Sequence, residues 1–183
     1  MKMKKIGILI GTAAAMLLLA GCAAPAYDVE VFLSPKVKEK YGIRPTMEVD
    51  IAGLNRTTEE HFRAIGVNDY FAPENPLRST SAHATLYFSE EDGTPKRLSR
   101  KDAVWKKFAD GSADKICLLV NLPLAGGKKQ KNDPRKIVIP LEDGMFKSSK
   151  RYFEITPSGL IRLKDRPEYA TAETQQKSTE KRP

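Results

Sequence analysis

Hydrophobic positions fall into three regimes along this chain. Residues 6–20 form an unbroken uncharged run, the middle alternates between apolar and polar, and from Asp165 onward the apolar positions run out. The middle regime carries the fold. Tyr27–Leu33 sets Val29, Val31 and Leu33 on one side and Asp28, Glu30 and Phe32 on the other, which predicts a strand with one buried face. Thr46–Ile51 repeats the alternation through Met47, Val49 and Ile51, and Ser81–Phe88 through Ala82, Ala84, Leu86 and Phe88. Lys115–Leu124 is the most apolar stretch. It carries Ile116, Leu118, Val120 and Leu122 on one face and Cys117, Leu119 and Asn121 on the other, and a strand apolar on both faces is central and covered on both sides. Lys136–Leu141 predicts a further strand. Tyr152–Thr156 and Leu160–Lys164, joined by Pro157-Ser158-Gly159, read as a hairpin.

Two stretches switch to helical spacing. Thr57-Thr58-Glu59-Glu60 fits a capping box, Phe62 and Ile65 make a short apolar stripe, and Gly66 is placed to end the helix. Ser99 heads a second helix with Asp102 in its first turn, where a negative charge suits the dipole. Val104, Trp105 and Phe108 point one way and Gly111 closes it, so Trp105 reads as a core anchor. Between the strands, Ser34–Pro45 is broken by Pro35, Gly42 and Pro45 and is rich in lysine; it reads as a charged loop that admits a helical turn. Asn68–Phe71 reads as another turn, and Pro73 and Pro76 argue against a regular element there. With about seven short strands and no strand–helix–strand alternation, the expected fold is mainly β. It is a two-sheet antiparallel β-sandwich with two short helical insertions.

The first regime is an address. Lys2, Lys4 and Lys5 precede an uncharged run shorter than the ~20 residues a membrane-spanning helix needs, and small residues follow, which is the layout of a secretory signal. Leu19-Ala20-Gly21-Cys22 resembles the lipobox of bacterial lipoproteins. That resemblance implies that Cys22 becomes the mature N-terminus and carries acyl chains such as palmitate. Ala23 and Ala24 follow, without the aspartate that retains enteric lipoproteins in the inner membrane, which favours the outer membrane. The expected organisation is therefore a signal peptide over 1–21, a lipidated tether over 22–26, a β-sandwich over 27–164 and a polar disordered tail over 165–183.

Charge and chemistry change this picture little. The net charge of +8 includes the three leader lysines; without them 28 basic residues face 23 acidic ones, leaving +5. That excess suits anionic partners such as lipid head groups or an acidic protein face, and is too diffuse for nucleic acid. Once Cys22 is acylated, Cys117 is the lone cysteine, set in an apolar run as a core residue. The two histidines, His61 and His83, belong to no metal-binding spacing, and no GxSxG occurs. Gly126-Gly127-Lys128-Lys129 lacks the spacing of a phosphate loop, and Glu90-Glu91-Asp92 is too compact for calcium. No enzyme, cofactor or metal is expected.

Taken together, the mature elements resemble the TssJ family, the outer-membrane lipoproteins of type VI secretion systems. The resemblance runs from the lipobox through VEVFLSPKV, the step Gly42-Ile43-Arg44-Pro45, the strand TMEVDIAGL, the aromatic helix TTEEHFRAIGVNDYF, then KICLLVNLPL and RKIVIPL. It covers roughly Cys22 to Leu141. The proline-glycine step usual after the middle strands is replaced here by Leu98–Asp102 and the tryptophan helix, and the polar tail is extra. The family implies a transthyretin-like sandwich without enzymatic activity, sitting on the inner leaflet of the outer membrane. It also implies a partner, the periplasmic part of a TssM-like inner-membrane protein of the core complex. The contact falls on the loop between the first two strands, which maps to Ser34–Pro45, with Ser34, Lys36, Lys38, Lys40, Tyr41 and Arg44 as candidate partner-binding residues. The alternative is an envelope lipoprotein that binds glycan or peptidoglycan by stacking on Tyr70, Phe71, Tyr87 and Trp105. A periplasmic hydrolase using His61 and His83 ranks last.

Overall fold

A computed structural model describes residues 25–90, 95–123, 132–141 and 149–170. The leader, Cys22, the first part of the tether, the turns at Asp92-Gly93 and Asp143-Gly144, the glycine-lysine stretch and the tail from Thr171 lie outside the described residues. In chain order the elements are β1 (Asp28–Leu33), α1 (Pro35–Tyr41), β2 (Met47–Leu54), α2 (Arg56–Ala64), α3 (Val67–Tyr70), α4 (Pro76–Thr80) and β3 (His83–Phe88). There follow β4 (Lys96–Leu98), α5 (Val104–Asp110), β5 (Lys115–Val120), β6 (Lys136–Pro140), β7 (Lys150–Thr156) and β8 (Gly159–Leu163). The strands form two four-stranded sheets, ordered β4-β1-β7-β8 and β3-β2-β5-β6. The mainly β, two-sheet sandwich is what the alternation implies.

The core lies between the sheets. Val29, Val31 and Leu33 of β1, Val49 and Ile51 of β2, Ile116, Leu118 and Val120 of β5, and Phe153 and Ile155 of β7 close it from both sides. As its composition demands, β5 is covered twice. Its Cys117 and Leu119 point the other way, into a second cluster with Ala52, Leu54, Phe62, Val67 and Tyr70 under the helices.

Several expectations are corrected. The sandwich is not wholly antiparallel: β1 and β7 pair in parallel, Asp28 opposite Lys150 through Leu33 opposite Ile155. More than a hundred residues separate them, and the intervening chain crosses to the other sheet and back, so no tight turn dictates their direction. Nor is β1 buried on one face only; all six of its residues are buried. The chain after β8 lies over its outer side, where Arg166 pairs with Glu30 at 3.5 Å and Tyr169 donates to Glu154 Oε1 at 2.8 Å. Asp165–Ala170 therefore packs on the domain, and the expected polar tail does not start at 165. An eighth strand, β4, pairs with β1 although Lys96 and Arg97 give it no apolar alternation.

Five short helices lie wholly among the described residues instead of two, and residues 168–170 are helical as well. In each added case, residues counted as breakers act as boundaries. Pro76 stands in the first turn of α4, behind an Asn75 side chain that accepts the Arg78 N–H at 3.1 Å. Pro35 likewise stands in the first turn of α1, without a side-chain cap, so the helical turn that Ser34–Pro45 admits is a seven-residue helix. The cap of α2 lies two residues earlier than the threonines suggest: Asn55 accepts the Thr58 N–H at 3.0 Å, and Thr58 Oγ1 accepts the Asn55 N–H at 2.8 Å. Ser99 does not head α5; Asp102 Oδ1 accepts the Val104 N–H at 2.9 Å.

Candidate functional site

The six residues of β1 span about 20 Å. The tether enters at one end, and α1 leaves at the other. Two poles result, with the candidate partner residues at the pole away from Pro25, where the described chain begins.

At that pole α1 is fixed from below. The Ser34 N–H donates to Ile155 O at 2.9 Å, the Val37 N–H donates to Ser34 O at 3.0 Å, and Val37 is fully buried. Gly42 ends the helix at φ 77°, a left-handed cap that glycine adopts without strain, and its N–H returns to Lys38 O at 2.8 Å. Two side chains pin the helix to neighbouring turns. Tyr41 OH donates to Pro123 O at 2.9 Å and Lys40 Nζ donates to Pro157 O at 3.2 Å.

This sorts the predicted residues. Lys36, Lys38 and Lys40 are exposed, Arg44 and Tyr41 are half-buried, and Ser34 is buried. The structure brings Lys38 and Arg44 together around an open groove of about 410 Å³ whose wall includes Ser34, Glu39 and Tyr169. Ser34, Tyr41 and Lys40 hold the helix in place, whereas Lys36, Lys38 and Arg44 form the exposed face of this pole. Two further residues join that surface. Ile43 is 54% exposed beside the glycine cap, and Tyr169 comes from the segment expected to be tail. Ile43 carried a signal in sequence, an apolar residue between Gly42 and Arg44; Tyr169 carried none. The arrangement offers no chemistry of bond making. It offers a cationic, partly apolar surface suited to an acidic protein face.

The densest polar cluster lies elsewhere, on the outer face of the helix-covered sheet. Asp50, fully buried in β2, accepts from Tyr70 OH at 3.0 Å, Arg78 Nε at 2.8 Å and Thr85 Oγ1 at 2.7 Å. Arg78 also donates to Glu48 Oε2 at 2.5 Å and lies 4.8 Å over the Phe71 ring. Burial works against the Arg78 charge, but the hydrogen bonds that it donates to Asp50 and Glu48 outweigh it and raise its pKa further. Burial, then the Asp50 charge, raises the Tyr70 pKa, so its phenol stays a donor. His83 belongs here too: Nδ1 lies 3.0 Å from Ser81 O and Nε2 lies 3.9 Å from Asp50 Oδ2. The cluster clamps α3 and α4 to the sheet. Its sequence signal was an aspartate midway along an apolar strand.

The remaining candidates resolve as structural groups. Cys117 is fully buried, and burial pushes its thiol up to about 12, which makes it inert. Tyr70 and Trp105 are buried and Phe71 lies under Arg78, so of the four aromatics proposed for stacking on a glycan only Tyr87, 63% exposed, presents a free ring face. Among the described residues no group of three or more His, Cys, Asp or Glu side chains is placed to hold a metal, and no helix is long and apolar enough to cross a membrane.

No protein-family model matches the chain, and no curated protein matches it in sequence. Solved structures match in fold. Serratia marcescens Lip, described as a membrane-bound component of the type VI secretion system, superposes with a TM-score of 0.51 at 15% identity, over 77% of this chain and 99% of that one. A chain in a structure described as the C-terminal domain (869–1107) of the T6SS protein TssM from EAEC gives 0.51 at 13% identity, over 75% and 99%. The T6SS lipoprotein TssJ1 from Pseudomonas aeruginosa is a weaker match at 0.45 and 10%, over 78% and 100%. The β-sandwich of this chain is thus similar to that of Lip over nearly the whole of Lip.

Proposed function

We propose that this chain is the lipid-anchored lipoprotein of a type VI secretion membrane complex, a divergent relative of the TssJ proteins. In this reading the leader 1–21 is removed, Cys22 is acylated, and the acyl chains hold the domain on the outer membrane, facing the periplasm. Several acyl chains anchor firmly where one alone holds marginally. The domain is not catalytic; it holds. Its partner is the periplasmic domain of a TssM-like inner-membrane protein, met by the α1 surface of Lys36, Lys38, Lys40 and Arg44, with Ser34 and Tyr41 fixing the helix.

The observation that carries this reading is the placement of α1. It stands at the pole away from the tether, turned toward the space an inner-membrane partner would come from. The fold likeness to Lip supports the same assignment. The test is affinity capture of the full chain from detergent-solubilised envelopes. With Lys36→Glu, Lys38→Glu and Lys40→Glu together, the large periplasmic partner is expected to disappear from the eluate; the changes at Lys36 and Lys38 should each cost no more than ~0.5 kcal/mol, whereas Lys40→Glu also gives up the bond to Pro157 O, so retention of the fold is checked by thermal melting. Full recovery of the partner by a folded triple variant would remove α1 from the interface. Mass spectrometry of the native N-terminal peptide reads the acyl groups on Cys22 separately.

A further inference from the structure

The tether pole has its own charge pattern. In the sheet containing β1, this end gathers the start of β1, the end of β4 and the start of β7, since Val29 pairs with Leu98 and Asp28 pairs with Lys150. The segment leaving β4 and the helix α5 complete the surface. Trp105 packs edge-on against Tyr27 at 6.2 Å and Phe108 at 5.4 Å, and its Nε1 donates to Ser99 O at 2.9 Å. Above this aromatic base stand Arg100, Lys101, Lys107 and Lys150, all exposed. Most acids of the pole are already engaged. Asp28 takes the Arg100 N–H at 3.0 Å and Arg97 at 2.8 Å, Asp102 caps the Val104 N–H, and Asp110 pairs with Lys106 at 2.7 Å. Among the described residues Asp114 is the exposed acid that remains at this end, against Arg100, Lys101 and Lys107, and their balance is positive.

We propose that this pole is a docking surface for the anionic head groups of the bilayer that holds the anchor. Arg100, Lys101, Lys107 and Lys150 seat the domain upright, with α1 directed away. The inference rests on the anchoring of Cys22 proposed above. Chain length supplies the occupant. Four residues lie between Cys22 and Tyr27, five Cα–Cα steps, so the tether reaches at most ~17 Å, and charges are screened over ~8 Å at physiological salt. The pole stays within about two screening lengths of the head groups, and basic side chains that come within one are drawn to an anionic surface. The lysines of α1, about 20 Å further along β1, are kept out of that layer. A tether alone would let the domain tumble; two contacts, acyl and electrostatic, fix which pole faces out.

The experiment is a lysine-labelling footprint of the full chain on vesicles. The acylated protein is reconstituted into phosphatidylethanolamine vesicles with or without phosphatidylglycerol and acetylated briefly, and the modification of each lysine is read by mass spectrometry. On the anionic vesicles Lys101, Lys107 and Lys150 should be modified severalfold more slowly, with Lys36 and Lys38 unchanged, and high salt should remove the difference. Arg100→Glu with Lys101→Glu should abolish the protection of Lys107. Equal labelling on both vesicles, or protection centred on Lys36 and Lys38, overturns the proposal. A second arm couples the chain beginning at Cys22 to a maleimide lipid. The buried Cys117 does not compete, so the tether is supplied whether or not cells acylate Cys22. Protection in this arm with an unmodified native Cys22 would refute the anchor and keep the surface; acylated native protein without protection in either arm would do the reverse.

Discussion

The two ends of the sandwich are made differently. At the tether pole, Tyr27, Trp105 and Phe108 stack edge to face, and Arg151 lies 4.0 Å over the Tyr27 ring. Phe108 presses so closely on β2 that a Cβ on Gly53 would lie 2.5 Å from its ring, so that strand position needs glycine. At the opposite pole, α1 is seven residues long and sinks one side chain, Val37, into the core. Its other attachments are hydrogen bonds from Tyr41 and Lys40 to exposed turns. One pole is built by packing, the other is hung on one fully buried apolar peg with Tyr41 packed partly against the core beside it. A base that must stay rigid on an anchor suits the first construction. A recognition helix that must adapt to a partner suits the second, because few buried contacts mean a low cost of local opening.

The largest expected effect tests the packed pole. Trp105→Ala removes a buried ring that touches two others and a hydrogen bond to Ser99 O, and should cost about 3–5 kcal/mol. For a domain of this size each kcal/mol lowers the melting temperature by about 2–4 °C. A loss of under ~1 kcal/mol would mean that the aromatic base is not what holds this end together. Val37→Ala comes next. Two methyl groups leave a fully buried site, for about 1–3 kcal/mol in global stability. Its sharper signature is local. Amide exchange should quicken across 36–41 while β7 stays protected, and equal quickening in both would show that α1 unfolds only with the whole domain.

The same contrast explains what was legible in the sequence. Long-range packing writes a period into the chain: β5 was readable as a central strand because Ile116 to Val120 is apolar on both faces, and Trp105 as an anchor because Val104 and Phe108 flank it at helical spacing. Where an element is held by backbone and polar contacts, no period is written. β4 is three residues, two basic and a leucine, paired along the edge of β1. α1 and α4 were hidden because proline was counted as a breaker when it stood at a helix start. The parallel β1–β7 pair leaves no local mark, since direction is set by where the intervening chain emerges. The candidate site fared similarly. Its lysines were legible as a cluster, but the division between presenting residues and the fixing residues Ser34 and Tyr41 depends on which way a seven-residue helix faces.

The smallest effect compares the poles under acid. At the tether pole the Arg100 N–H, working with Arg97 against burial, holds the Asp28 carboxyl below its usual range. Toward the α1 pole, burial of Asp133 favours protonation, yet the hydrogen bonds from Arg135 outweigh it and the net shift is also downward. A carboxyl with a depressed pKa in the fold is protonated more readily in the unfolded chain. Its stabilisation is therefore complete above the unfolded value near ~4 and disappears as pH falls through the folded value. Asp28→Asn and Asp133→Asn should each flatten the acid limb of stability against pH, measured by denaturant titration. Asp133 has the nearer set of partners, with Arg135 donating from its backbone N–H, Nε and Nη2, while Arg97 at the other pole is half exposed to screening. Asp133→Asn should accordingly flatten the limb more. Acid should then cost more through the α1 side than through the tether pole, and a larger flattening from Asp28→Asn would reverse that ranking and tie acid sensitivity to the tether pole.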